Sequence, residues 1–572
     1  MNGPADVGFD EQDRALLRDS VRGFLEQHWP PGHAPARTQD SEALRQIWRG
    51  LAGQGLTALG CDPTAGGLRE AAIVMQALGR ASCPAPIADA FLVNQTLAAA
   101  EHAGALAPAF AALRDGLGAG TSIVCMALAG ADPDANAGTV RQVHGRACGQ
   151  ANFVEAADTA THLFVALEDG HSFALLDAGS SGVDRSMQRA LGSDGLWRLD
   201  LDDAPVIATV DVRDKGEAVV GAARVLLAAR ALGAAERAFE LAVDYVHTRR
   251  QFGRPVGAFQ AVQHKLADNL IALTGVRLAI ENAAEHHDRG AHEWQAFADA
   301  LWSYACGSLR LATLNTHHVF GAIGYAEDHE APRHFRCVHL DTTRLGGARL
   351  VNERLASRFL DHGPAAFPDF DLGPEAARLR AELRVWLGEH WPAARREAFE
   401  QRDATHREFD PDFARELGAT GWIGLAWPQA HGGMARSPLD LLVYMEEMER
   451  AGAPRAGAPV QAAALMLYGS PDQQRRYLPE ILRGEVMYGM FYSEPDAGSD
   501  LASIRTSAVF EDGMWVINGQ KIWTTTYWGD YMWLAARTDP QARPQHAGIS
   551  MFLLPTDTPG ITRHAHAHDV RR

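Results

Sequence analysis

The sequence predicts a multidomain α+β protein in which a helix–β–helix unit occurs twice, the second time without its final helical part. Three observations predict it. The chain has 572 residues, room for roughly three to five domains. Two pairs of related strings recur at nearly one offset: FLEQHWP at Phe24–Pro30 with WLGEHWP at Trp386–Pro392, and LAGQGLTALGCDPTAGG from Leu51 with LGATGWIGLAWPQAHGG from Leu417, 362 and 366 residues apart. Two matches in the same order indicate tandem duplication. Finally, the text within each copy changes from helical to strand-like periodicity in the same sequence.

Residues 1–118 are expected to form the first helical domain, since Asp10–Gln27 places apolar residues at three- and four-residue spacing. Residues 119–213 read as a small β domain, a barrel or sandwich, and 214–361 as a helical bundle rich in Ala, Leu and Arg. The segment 362–373, HGPAAFPDFDLG, carries two prolines and two glycines without helical period and reads as a linker. Helical text resumes over 374–485, beginning at Pro374–Glu389. The β text of 486–572 includes SAVFEDGMWVINGQKIW, with Asp-Gly and Asn-Gly as turn signals, the latter read as a hairpin turn. A second copy of full length would continue for roughly 150 residues more, so a truncated or frame-shifted end is the expectation.

Composition excludes several classes. Apolar residues at 47% and charged residues at 22% rule out wholesale disorder and a fibrous chain. The net charge, 53 − 71 = −18, argues against nucleic acid or an anionic membrane as the main partner. The N-terminal text has neither a basic nor an apolar signal region. The most apolar run, Val219–Ala235, is broken by Arg224 and Arg230. Six scattered cysteines without a CxxC pair make a disulfide framework or structural zinc unexpected. Together these features predict a reduced, cytoplasmic protein. His564, His566 and His568 alternate near the end and are read as a ragged terminus, with no metal assigned.

Two strings carry chemistry. YSEPDAGSDLAS, Tyr492–Ser503, is a loop of small and hydroxylic residues that exposes donors for a phosphate or a polar ring edge. WVINGQKIWTT, Trp515–Thr525, brings an indole beside hydroxyls, suited to walling a flat aromatic ligand.

These strings resemble the acyl-CoA dehydrogenase family. TRRQFGRPVGAFQAVQHKLAD, from Thr248, and HVFGAIGY, from His318, are similar to that family's C-terminal-domain segments. The resemblance implies a helical, β and helical-bundle domain order and FAD as cofactor. It implies an acyl-CoA substrate dehydrogenated at α,β, with a carboxylate taking the α-proton and the flavin taking the β-hydride. An electron-transfer flavoprotein would collect the electrons. Position by position, it implies Tyr492 and Ser493 at the flavin ring edge, Gly498 and Ser499 at the phosphates and acyl-CoA chain, Trp523 facing the ring and Thr525 bonding near its N5. On the nucleotide side it implies Arg249, Phe252 and Gln260, with Phe320, Gly321 and Gly324 gripping the adenine end. His318 stands where a glutamine is usual.

The two copies look complementary. Where the second has YSEPDAGSD the first has MALAGADPDANAG, Met126–Gly138. Where the second has Lys521–Thr525 the first has GQANFVEA, Gly149–Ala156, without the tryptophan or threonines. This resembles paired-subunit acyl-CoA dehydrogenases, and their fused versions, of steroid side-chain catabolism. It implies one FAD per duplicated chain, the ring on the later β domain and the nucleotide on the earlier helices, and a homodimer of fused chains in a tetramer-like assembly. No catalytic base is identified: the two family positions for it hold Ala223 and Leu345, and the neighbouring Glu217, Glu236 and Glu240 read as solvated helix faces. A catalytically silent partner subunit that binds FAD or acyl-CoA, or an acyl-CoA oxidase, are the alternatives.

Overall fold

The computed structural model describes residues 9–30, 40–62, 64–104, 106–129, 137–190, 193–212, 216–363, 369, 372–402, 407–454, 456–524 and 526–564. The chain divides into two compact units, Met1–Asp369 and Phe370–Arg572. The division falls inside the segment read as a linker.

Unit 1 begins with α1 (Glu11–His28), α2 (Ser41–Gly53), α3 (Leu68–Ala81), α4 (Ile87–Ala103) and α5 (Pro108–Gly118). Asp10 caps α1 with a reciprocal box to Asp13, and Asp40 caps α2, which satisfies otherwise orphaned N–H groups. Eight strands follow: β1 (Val124–Ala127), β2 (Gly138–Val143), β3 (Arg146–Glu155), β4 (His162–Ala166), β5 (Ser172–Asp177), β6 (Val183–Ala190), β7 (Ser193–Pro205) and β8 (Ala208–Asp211). They form two four-stranded sheets, β1-β4-β5-β8 and β2-β3-β7-β6. In β4 and β5 the side-chain period of two is visible on both faces. Leu163, Val165, Ala174 and Leu176 meet the residues of the other sheet, whereas Phe164, Phe173 and Leu175 turn into the helical core.

That core is organised by α6 (Gly216–Thr248). A short hairpin, β9 (Arg250–Gln251) and β10 (Arg254–Pro255), leads to α7 (Gln260–Asp288), α8 (Trp294–Phe320), α9 (Ala331–Thr343) and α10 (Gly347–His362). Helix α6 is long and apolar enough to cross a membrane, yet 94% of its most apolar window is buried inside the protein, so it is a core helix. Two of its arginines, Arg224 and Arg230, are buried and paired. Arg224 Nη1 donates to Asp299 at 3.1 Å and Nη2 to the Leu345 carbonyl at 3.2 Å. Arg230 donates to Glu155 at 2.9 Å and to Asp341 at 2.9 Å. The charges that break the apolar run are therefore the struts tying α6 to β3, α8 and α9. Helices α3 and α6 approach so closely that a Cβ on Gly79 would strike the Arg230 backbone, and one on Gly233 the Gln76 backbone.

Unit 2 repeats the opening. It holds α11 (Pro374–His390), α12 (Ala393–Glu400), α13 (Pro411–Thr420), α14 (Pro438–Arg450), α15 (Pro459–Tyr468) and α16 (Pro471–Leu482). Then come β11 (Tyr488–Phe491), β12 (Ser507–Glu511), β13 (Met514–Asn518), β14 (Tyr531–Arg537) and β15 (Ile549–Pro555). Pairing follows unit 1: β1 is parallel to β4 and β4 antiparallel to β5, as β11 is parallel to β14 and β14 antiparallel to β15. The β2–β3 turn, His144-Gly145, and the β12–β13 turn, Asp512-Gly513, both have positive φ at two successive residues, the form that two-residue hairpins favour. Asn518-Gly519 does not make the hairpin turn expected of it. Strand β13 ends at Asn518, and Gly519 is small because a Cβ there would strike Thr506.

Candidate functional site

In unit 2 the two chemistry-bearing strings are bound together. The Ile522 N–H donates to the Ser493 carbonyl at 3.0 Å. Lys521 Nζ donates to the Tyr492 carbonyl and to Glu494 Oε1, both at 2.9 Å. The Lys521 and Glu494 side chains are only 5% and 7% exposed. Glu494 also accepts from the backbone N–H groups of Arg505 at 2.6 Å and Thr506 at 2.9 Å. Burial opposes its charge, but hydrogen bonds around Thr506, Arg505 and Lys521 hold the carboxyl down at about 2. Burial in turn lowers the Lys521 pKa, with Glu494 opposing that shift. Arg537 adds bonds to the Ile504, Ala502 and Gln545 carbonyls. The sequence reading missed Glu494, Lys521 and Arg537. Their signal was present in the E of YSEP and the K of GQKIW, but a structural pair in a motif carries no distinctive spacing.

On this clamped base, Trp523 is 64% exposed and has φ +63°. A largely exposed indole on left-handed backbone is strained, an arrangement that gathers at functional surfaces. Tyr492 is half-buried against the cluster of Ala497, Ile504 and Ala535, and burial raises its phenol pKa. Ser493 is half-buried, while Gly498 and Ser499 are exposed, and a Cβ on Gly498 would meet nothing within 4 Å. Thr525 lies outside the described residues. Its neighbour Thr526 is buried and donates to the Tyr488 carbonyl at 3.0 Å.

In unit 1 the hairpin after α6 lifts Phe252 to its tip. Phe252 is 92% exposed with φ +51°, followed by Gly253 at φ +78°. Phe259 meets its edge at 6.0 Å, and Arg254 caps the Phe259 ring at 4.1 Å. Arg249 and Gln260 are exposed. Phe320 is different: it is 3% exposed and packs on Tyr245 and His329. Gly321 ends α8 at φ +63° and is exposed. Gly324 is buried, its missing Cβ leaving room for Phe320 and His317. Packing therefore accounts for Phe320 and Gly324, and His318, Gly321, Ala322, Ile323 and Tyr325 are what this segment turns outward.

The two positions for a base, Ala223 and Leu345, both line a cavity of about 290 Å³ in unit 1. Neither is a carboxylate. Of the neighbouring acids, Glu217 and Glu240 are exposed as expected, but Glu236 is not a solvated helix face. It is buried and accepts from Arg277 at 2.5 Å and Gln76 at 2.7 Å, since it lies where α6 meets α3 and α7. Among the described residues no cluster of His, Cys, Asp or Glu could hold a metal. His566 and His568 lie outside them, as does most of Met126–Gly138.

Helical, β and helical-bundle domains in this order, an exposed tryptophan on a clamped loop and an arginine–phenylalanine hairpin define an oxidoreductase class, and the chain belongs to the acyl-CoA dehydrogenase family. Its descriptions match directly: "Acyl-CoA dehydrogenase, N-terminal domain" twice, over residues 11–107 and 373–485, "middle domain" over 489–570 and "C-terminal domain" over 217–364. The chain is similar to acyl-CoA dehydrogenase FadE34 of Mycobacterium tuberculosis, 31% identical over 96% of this chain and 74% of that one. It is 37% identical to FadE26 of the same organism, over 33% of this chain and 49% of FadE26. Among solved structures, a variant of the Tcur3481-Tcur3483 steroid ACAD matches with TM-score 0.55 and 26% identity, over 62% of this chain and 99% of that one. The ChsE4-ChsE5 complex from Mycobacterium tuberculosis matches with TM-score 0.53 and 26% identity, over 63% and 100%.

Proposed function

We propose that the chain is an FAD-dependent acyl-CoA dehydrogenase that forms the α,β double bond of an acyl-CoA thioester and passes the electrons to an electron-transfer flavoprotein. The observation that carries this reading is Trp523, exposed and strained above the Lys521–Glu494 clamp. The residues fit the cofactor. An indole that is 64% exposed, the open space at Gly498 and the hydroxyls of Ser493 and Ser499 suit a flat heterocycle followed by phosphates. FAD, when bound, supplies the two-electron acceptor for the substrate hydride. Trp523 would wall the ring, and Tyr492, Ser493 and Thr525 would hold its edge. Arg249, Phe252, Gln260 and the Gly321 turn, with Phe320 and Gly324 shaping that turn, would hold the nucleotide end, within a chain or across a homodimer of fused chains. Likeness to a steroid ACAD makes a steroid-derived acyl-CoA the first substrate to try. The buried α6 and six unpaired cysteines support a cytoplasmic setting.

A second reading has its own observation. Ala223 and Leu345 leave both base positions without a carboxylate, and Arg224, next to the first, donates to the Leu345 carbonyl at 3.2 Å. This favours a silent, FAD- or acyl-CoA-binding partner subunit. One experiment separates the readings: reconstitute the full chain with FAD, desalt it, record the visible spectrum, then add acyl-CoA and an electron acceptor. Flavin retention with acceptor reduction is the expected result. Retention without turnover selects the silent subunit, and peroxide release selects an oxidase. Colourless protein overturns the proposal.

A further inference from the structure

Trp523 stands on a backbone conformation that a large side chain keeps only where its surroundings over-determine it. The residues that lead into it are anchored. Ile522 donates its N–H to the Ser493 carbonyl at 3.0 Å. Lys521 Nζ donates to the Tyr492 carbonyl and to Glu494 Oε1, both at 2.9 Å. Glu494 is fixed in turn by the Arg505 and Thr506 N–H groups at 2.6 Å and 2.9 Å. The earlier copy holds the same conformation by other means. Counted from the shared Gly-Gln pair, Phe153 corresponds to Trp523, Asn152 to Ile522 and Ala151 to Lys521. Phe153 has φ +61° against +63° for Trp523. Ala151 cannot reach across, and Gln188 does so instead. Its Oε1 accepts from the Phe153 N–H at 2.7 Å, and its Nε2 donates to Asn152 Oδ1 at 3.2 Å. A lysine in one copy and a glutamine in the other thus clamp the same left-handed residue.

We propose that Lys521 and Glu494 are positioning residues: joined to each other and to the Tyr492 carbonyl, they hold Trp523 on its strained backbone with the indole outward before any ligand arrives. The side chains are only 5% and 7% exposed. As a source of net stability such a buried pair is weak, because desolvation offsets the attraction. What it supplies here is direction, since the ammonium meets two acceptors on the neighbouring string at once. A ring wall held in advance gives up little freedom when its ligand docks. This role rests on the reading of Trp523 as a flavin wall, but the placement of the indole can be read without flavin.

The test is fluorine NMR of the full chain carrying fluorotryptophan, without FAD, with FAD retention after desalting measured in parallel on unlabelled protein. The chain has 13 tryptophans, and Trp523→Phe identifies the resonance of Trp523. Lys521→Met alone strands a buried carboxylate. The decisive variant is therefore Lys521→Met combined with Glu494→Gln, which removes the clamp and leaves no charge unpaired. In it the Trp523 resonance should shift or split while the others keep their places. FAD retention should fall roughly ten-fold as the strained backbone relaxes. An unmoved Trp523 resonance overturns the proposal. So does displacement of every resonance, which would make the pair a support of the whole unit and nothing more. Wild-type FAD retention in the double variant overturns it as well, where Trp523→Ala loses FAD. If Trp523→Ala also keeps FAD, the flavin reading fails, and a shifted Trp523 resonance still supports the clamp.

Discussion

Phe153 and Trp523 occupy the same backbone conformation, φ +61° and +63°, at matching places in the two copies. Each follows a Gly-Gln pair by the same spacing, GQANF in one copy and GQKIW in the other. The duplicated fold has kept the strained platform and changed what stands on it. Past Trp523 the later copy continues with threonines. Past Phe153 the earlier copy has Glu155, whose carboxylate is held well below its usual range, burial opposing and Arg230 and Arg344 outweighing it. A charged, fully committed carboxylate thus stands in the register of Thr525.

Removing the exposed aromatic should empty the ring site without harming the fold. Trp523→Ala is expected to reduce retained flavin at least ten-fold, with the folding free energy changed by no more than about 0.5 kcal/mol. Arg249→Ala should likewise weaken flavin retention with unchanged circular dichroism. Visible absorbance after desalting checks both, and unchanged flavin content would refute the assignment of that residue.

The Lys521–Glu494 pair sets the stability of the platform. Lys521→Met leaves a buried carboxylate unpaired and should destabilise unit 2 by about 3–5 kcal/mol, read from denaturant midpoints. Because the Glu494 pKa is depressed to about 2, its contribution is fully present above the unfolded value of about 4.3. It is lost as pH falls toward about 2. A Glu494→Gln variant should show a flatter acid limb over that window.

Asp89 predicts the opposite slope. Its folded pKa, about 7, lies above the ordinary aspartate value of about 3.9, so the native state keeps a proton that the unfolded chain gives up. Stability of unit 1 should fall as pH rises from about 4 to about 7 and level off beyond. Asp89→Asn should lack this fall. Matching slopes for wild type and variant in chemical denaturation would contradict it.

The α3–α6 crossing tolerates no side chain. Gly79→Val or Gly233→Val would press a Cβ into the backbone of the opposing helix, and each should destabilise unit 1 by about 2 kcal/mol or more. Thermal unfolding of the full chain reports it.

Much of this was legible in one dimension. The repeat, the order of helical and strand text, and the Trp523 and Phe252 strings lie within a few residues of themselves, so local periodicity and short motifs expose them. Glu236 was misread as a solvated face because its partners, Arg277 and Gln76, are distant in the chain. Asn518-Gly519 read as a turn because its real constraint, Thr506, lies just ahead of β12, a dozen residues away in the chain.

By itself, then, the sequence determined a duplicated α+β chain, the family it resembles and the strings that carry the candidate site residues, since these are properties of contiguous text. Only the tertiary structure decided that Arg224 and Arg230 are buried struts, that Glu155 is paired with Arg230 and Arg344 and that Ala223, Leu345 and Asp89 share one cavity. The reason is physical. The bonds responsible join residues 75, 111 and 189 positions apart, and no local pattern encodes which distant charge a buried arginine will meet.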